Sequence, residues 1–156
     1  MKALVIYYSR TGNTETVAEA LAAALQCDKE AIIDTKKRSG PLGYVSSGRD
    51  AKQESLTVIE DIKRDVSEYD LVIIGTPVWA GRVSTPVRTF IHQHKNLKRV
   101  AFFTTQGSED PGEALKDMEA LSGKTPVCVL SIRSNEVEKG DFDQKISQFV
   151  RELNGS

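Results

Sequence analysis

The sequence predicts a doubly wound α/β fold, a five-stranded parallel sheet with helices on both faces and strands in the order 2-1-3-4-5. Three short apolar runs, rich in β-branched residues and without apolar–polar alternation, are spread along the chain. Strands read this way when helices cover both of their faces. Between the runs the apolar period turns helical, so strand and helix alternate as βαβ units require. Right-handed crossovers leave few topologies for five such strands. The length of 156 residues suits one domain, expected over 1–156.

The strands are expected at 3–8, 30–34, 71–75, 100–105 and 127–130. Behind Thr14, the residues Val17, Leu21, Ala24 and Leu25 share one helical face. Val87, Phe90 and Ile91 follow Pro86, a residue suited to a first helical turn. Leu115, Met118 and Leu121 end at Gly123, where a helix C-terminus favours glycine. Phe142, Ile146, Phe149, Val150 and Leu153 form the last stripe. Each stripe reads as core. The polar segment 35–55 contains Gly40, Pro41, Gly43 and Gly48 and is expected as a long loop, with a short helix starting at the S-x-x-D of Ser47 to Asp50.

Composition excludes several function classes. Basic and acidic residues number 21 and 22, leaving a net charge of -1, so no strong field draws the chain to nucleic acid or an anionic membrane. No apolar run approaches the roughly 18–20 residues of a spanning helix. The start lacks the pattern of a signal peptide, so a cytoplasmic location is expected. Cys27 and Cys128 form no CxxC pair, which offers neither a zinc site nor a dithiol. Cys128 reads as core and Cys27 as a free thiol. His92 and His94 read as surface residues, and no metal site is expected. Lys36-Lys37-Arg38 reads as a solvated loop, with docking to an acidic partner as the alternative.

In an open parallel sheet of this order, ligands sit beyond the C-terminal strand ends where the winding reverses. The first such loop, Ser9-Arg10-Thr11-Gly12-Asn13-Thr14, runs straight into a helix. Hydroxyls, an approachable glycine backbone and a helix N-terminus together suit a phosphate. The alternative is a simple turn with Asn13 or Thr14 as N-cap. Neither G-x-x-x-x-G-K-[ST] nor G-x-G-x-x-G is present, which leaves a terminal phosphate monoester as the ligand. The third loop, Thr76-Pro77-Val78-Trp79-Ala80-Gly81, holds the chain's one tryptophan, which can stack on a flat ligand or pack its own loop. Thr104-Thr105-Gln106-Gly107 adds donors from the next strand. Together the loops describe a ligand with a phosphate at one end and a planar ring at the other.

These motifs resemble the flavodoxin family of FMN-binding electron carriers over nearly the whole chain. Ser9-x-Thr11-Gly12-Asn13-Thr14 is similar to the family's phosphate loop. Gly75 to Trp79 followed by Pro86-Val87-Arg88 is similar to its flavin-stacking loop, and Thr104 to Gly107 to its third loop. The resemblance implies a flavodoxin-like fold with Ser9 to Thr14 on the FMN phosphate. Trp79 would then cover one ring face, with Pro77, Val78 and the Ala80, Gly81 and Gly107 backbone along its edge. Two departures stand out: 104–112 contains no aromatic residue to cover the other face, and the chain is almost neutral where electron carriers are strongly acidic. Tyr44, from the 35–55 segment, is the available cover.

Two functions follow from the resemblance. A one-electron carrier would serve redox partner proteins, with a carbonyl of Ala80 or Gly81 accepting a hydrogen bond from the flavin N5 once protonated, and no side chain acting as acid or base. The alternative is a reductase passing two electrons from NAD(P)H to a quinone or nitro compound. It would act on the open flavin face, with Arg10 or Arg82 attracting a nicotinamide-nucleotide phosphate or simply solvated. The chain would be a monomer or a homodimer. A flavin-free receiver domain lacks its Asp at Gly75-Thr76-Pro77, and a low-molecular-weight phosphatase lacks its C-x5-R loop.

Overall fold

The structure, a computed structural model, describes residues 1–155. Its elements in order are β1 (Ala3–Tyr7), α1 (Asn13–Leu25), β2 (Asp28–Ala31), α2 (Gly40–Lys52), β3 (Leu71–Trp79), β4 (Arg82–Val83), α3 (Thr85–Gln93), β5 (Arg99–Gln106), α4 (Ala114–Ser122), β6 (Val129–Arg133), α5 (Ser134–Lys139) and α6 (Asp143–Asn154). The parallel strands lie in the order β2-β1-β3-β5-β6, and β4 pairs antiparallel with the far end of β3. Counting parallel strands alone, this is the expected 2-1-3-4-5 winding. No helix among the described residues is long and apolar enough to cross a membrane.

The sheet divides the core in two because period-2 side chains leave its opposite faces. One face packs Val5, Tyr7, Ile73 and Phe103 against α1, α5 and α6. The other packs Leu4, Ile6, Ile74 and Phe102 against α3 and α4, and there Tyr8 and Trp79 join the core. The α1 stripe is shifted from expectation: Thr14, Val17, Ala18, Leu21 and Ala22 are buried while Ala24 faces solvent.

The largest departure is 35–55, which holds no long loop. A 13-residue helix spans Gly40–Lys52 with Pro41 in its first turn, so Ser47 to Asp50 lies inside it and does not start it. Its apolar residues Leu42 and Tyr44 are 86% and 71% exposed, so no inward stripe announces the helix. A buried charge cluster ties it down. Arg38, 4% exposed, donates to Asp34, to Ser47 Oγ at 3.3 Å and to Asp50 at 3.0 Å. Lys36 joins on Asp50 at 2.7 Å. The expected solvated Lys-Lys-Arg run is corrected at Arg38, whose charge is spent inside the molecule because a buried guanidinium requires carboxylate partners.

Gly75 lies on β3 where a Cβ would land within the Phe103 ring. Gly75→Ala is expected to destabilise the fold by about 1–3 kcal/mol through overpacking. Urea unfolding measures this, and an unchanged midpoint would show that the two strands yield there.

Candidate functional site

The three expected loops converge at the C-terminal strand edge. The end of β1 leads through Ser9 into α1, whose N-cap is Gly12 at φ 107 with no side-chain cap bond. Neither Asn13 nor Thr14 caps the helix. Ser9 Oγ accepts from the N–H groups of Gly12 and Glu15, each at 3.1 Å. The N–H groups of Asn13 and Thr14 lie in the first turn, where no helical carbonyl can reach them. They have no partner among the described residues. Thr14, fully buried, turns its hydroxyl to Thr105 Oγ1 at 2.7 Å and so ties the first loop to the end of β5. Thr11 is exposed. The half-buried Arg10 donates to the carbonyls of Arg38 at 2.7 Å and Gly40 at 3.1 Å, with its guanidinium 5.7 Å from the Tyr44 ring centre. It fastens the first loop to α2.

At the end of β5, Thr104 is fully buried and its hydroxyl meets Gln106 Oε1 at 2.8 Å and Ser131 Oγ at 2.9 Å. Gly107 is exposed, with open space where a Cβ would stand. The side chains of Thr104 and Thr105 are therefore used within the strand ends, Gln106 is buried, and the accessible group of this loop is the Gly107 backbone.

The third loop is a hairpin. Trp79 pairs with Arg82, so Ala80 and Gly81 form a two-residue turn. Both have positive φ, 51 and 75, as a type I′ turn requires. Pro77 and Val78, half-buried, lead into it. Trp79 is 8% exposed, with Tyr8 edge-on at 5.5 Å and the Arg38 guanidinium 5.1 Å from its ring centre. The Gly81 carbonyl is already occupied: it accepts from the Glu113 N–H at 2.7 Å. Gly112 backs the same contact, since a Cβ there would stand 2.6 Å from that oxygen. Of the two carbonyls expected beside the ring, Ala80's is therefore the free one.

Asp117 on α4 anchors the hairpin, and sequence reasoning missed it. Its carboxylate accepts two bonds from Arg82, one from the Val83 N–H at 3.1 Å, and pairs with buried Arg88 at 3.3 Å. Arg82 also reaches Glu54 at 2.9 Å. Asp117 raises the basicity of the Arg82 guanidinium, mainly by accepting its hydrogen bonds. Arg82, half-buried, is thus engaged by two carboxylates, Asp117 and Glu54. An acid beside Met118 on the apolar stripe of α4, and a base beside Val87 on α3, were the signals available.

The thiols and histidines offer no rival centre. Burial pushes the Cys128 thiol up to about 11 and the Cys27 thiol in the same direction, away from nucleophilic thiolate. No group of three metal-ligating side chains occurs among the described residues.

The chain matches the family model described as Flavodoxin over residues 2–131, and it belongs to the flavodoxin family. An NAD(P)H dehydrogenase (quinone) of Cupriavidus metallidurans is 30% identical over 97 residues, covering 62% of this chain and 48% of that protein. A protein of the same name from Azorhizobium caulinodans is 29% identical over 122 residues, covering 72% of this chain and 60% of the relative. The chain thus spans about half the length of the curated relatives it matches. A flavoprotein of Lactobacillus acidophilus solved in complex with FMN superposes with a TM-score of 0.71 at 26% identity, over 88% of this chain and 97% of that one. A further structure, of a protein from Bacteroides uniformis, reaches a TM-score of 0.75 at 23% identity over 96% and 97% of the two chains, a likeness of fold.

Asp117→Ala is expected to cost about 3–5 kcal/mol, because it leaves Arg82 and the buried Arg88 with only the exposed Glu54 carboxylate between them. Urea unfolding would show a loss near zero if water replaced it freely. A second expectation concerns acid. Burial raises the Asp50 carboxyl, but bonds from Lys36 and Arg38 outweigh it and hold the group below its ordinary 3.8. Its stability contribution is then complete above that value and lost as pH falls through the lowered one. Asp50→Asn should flatten the stability–pH curve below about pH 4, and an unchanged acid limb would contradict the pairing.

Proposed function

We propose that this protein binds FMN at the strand edge and passes electrons from NAD(P)H to a quinone through it. The observation that carries the FMN reading is the start of α1, where unpartnered N–H groups at a helix N-terminus suit a phosphate monoester. The family and the FMN-bound relative support the same group. Asn13 and Thr14 would hold the phosphate, with Ser9, Thr11 and Gly12 around it. The Val78–Gly81 turn and the Gly107 backbone would border the ring, and Trp79 would exclude water from one side. FMN supplies one- and two-electron redox chemistry when bound.

The hairpin favours electron pairs over single electrons. A carrier that stabilises the half-reduced cofactor needs a carbonyl free to swing toward N5. Here the Gly81 carbonyl is held by Glu113, so the mobile peptide would be Ala80–Gly81. Flipping it converts a type I′ turn to type II′, whose first central position belongs to glycine. Ala80 occupies that position and resists the flip. The absence of an aromatic in 104–112 leaves room for a planar acceptor, and relatives named as quinone dehydrogenases agree. The overall reaction balances as NAD(P)H plus quinone plus one proton giving NAD(P)+ and quinol. The three loops contain no histidine to supply that one proton, which would come from solvent. Electron carriage between partner proteins is the second reading, and the same experiment separates the two.

Trp79→Ala should weaken FMN binding by roughly 1–3 kcal/mol, by analogy with base–aromatic stacking. Fluorimetric titration with FMN measures it, and an unchanged affinity removes Trp79 from the ring. Anaerobic stepwise reduction of the FMN-loaded protein is expected to give one two-electron transition, and Ala80→Gly to split it toward two one-electron steps. Well-separated steps in the native protein would favour the carrier.

A further inference from the structure

A cavity of about 440 Å³ lies at the C-terminal ends of β5 and β6, lined by Gln106 and Arg133. The two are register partners on neighbouring strands, so their side chains leave the same face of the sheet. Both keep donors to offer. The Thr104 hydroxyl donates to Gln106 Oε1 at 2.8 Å, which fixes the amide and leaves Nε2 without a partner among the described residues. Arg133 Nε is buried and has none either. The ion pair of Arg133 is a loose one, 3.6 Å to Glu109, whose side chain is 86% exposed. Lys139, at the end of α5, lines the same cavity with no acidic partner among the described residues.

The acids of the lining differ in what they have left. Glu136 is spent, since its Oε1 accepts from the Arg133 N–H at 3.0 Å and from Lys145 at 2.9 Å. Asp141 is exposed, and its carboxylate has no partner among the described residues. The cavity thus offers Arg133, Lys139 and an amide N–H to an anion, and Asp141 and Glu109 to hydroxyl groups. Donors for phosphate beside acceptors for sugar hydroxyls suit a ribose phosphate, and so charged a lining does not suit a quinone ring. The cavity also adjoins the proposed ring site. Gln106 precedes Gly107, whose backbone would border the ring, and Glu109 belongs to the 104–112 loop, which has no aromatic cover. Arg10 and Arg82, expected to draw a nucleotide phosphate, are held by carbonyls and by carboxylates.

Resting on the quinone-reductase reading, we infer that this cavity binds the adenosine diphosphate end of the NAD(P)H donor. Arg133 and Lys139 take its phosphates, and Asp141 and Glu109 take ribose hydroxyls. The nicotinamide of the same molecule is left to the open ring face, which donor and acceptor use in turn. The cavity holds only the part of the donor that does not react.

The test uses FMN-loaded protein and ADP-ribose, which carries the diphosphate and both riboses but no nicotinamide to reduce the flavin. Calorimetric titration is expected to show one ADP-ribose per chain, bound about tenfold or more tighter than adenosine, with no FMN in the ultrafiltrate. Its affinity should weaken as salt is raised. It should fall about tenfold in Arg133→Gln, and by a smaller factor in Lys139→Gln, an exposed position whose substitution leaves the fold intact. FMN content and far-ultraviolet circular dichroism of both variants are checked alongside. With 1,4-benzoquinone as acceptor, ADP-ribose should compete with NAD(P)H and not with the quinone, and Arg133→Gln should raise the nucleotide KM more than it lowers kcat. No binding, an affinity unmoved by salt or by both substitutions, release of FMN, or competition with the quinone alone would each overturn the inference. If the protein takes up no FMN, or NAD(P)H does not reduce it, the functional reading fails by itself. The cavity as a nucleotide site is then decided on the same protein by the ADP-ribose titration and its loss in Arg133→Gln.

Discussion

The hairpin that borders the site takes its position from one carboxylate. Asp117 is 8% exposed, and it gathers two guanidinium groups and a backbone N–H from the β3–β4 hairpin and α3. Arg82 and the Val83 N–H donate to it and the buried Arg88 guanidinium takes it as counter-charge; leaving those groups unpaired is costly, so α4 lies against the hairpin. That placement brings the Glu113 N–H onto the Gly81 carbonyl and leaves room at Gly112 for glycine alone. The conformation of the Ala80–Gly81 turn, and hence what it can do beside a ring, follows from packing on the far side of the sheet edge.

A second polar cluster plays the equivalent part for α2. Arg38 joins Asp34, before the helix, to Asp50 within it, and its guanidinium lies over Trp79. One buried charge thereby sets the position of the tryptophan and of the helix that faces it.

The central strands of the parallel sheet were legible in the sequence because they are buried on both faces, and burial writes continuous apolar runs; edge strand β2, expected at 30–34, lies at Asp28–Ala31 with no residue buried. Residues 71–75 lie within β3 and 100–105 within β5, whereas the fifth strand begins at Val129, two residues later than expected. The loop after β1 was legible because a hydroxyl-rich turn between strand and helix has few uses. Helix α2 was not, since electrostatics hold it and its large apolar residues, Leu42, Tyr44 and Val45, face outward. The fastening roles of Arg10 and Arg82 were also hidden: spacing shows that a cation stands on a loop, and its partners, Gly40 and Asp117, lie 30 and 35 residues away.

A fixed turn beside a phosphate-binding helix start is most directly tested by crystal structures of the FMN-loaded protein in its oxidised and fully reduced states. The phosphate is expected within hydrogen-bond reach of the Asn13 and Thr14 N–H groups, and the Ala80–Gly81 peptide in one orientation in both states. A phosphate bound elsewhere, or a peptide that reverses on reduction, would contradict it.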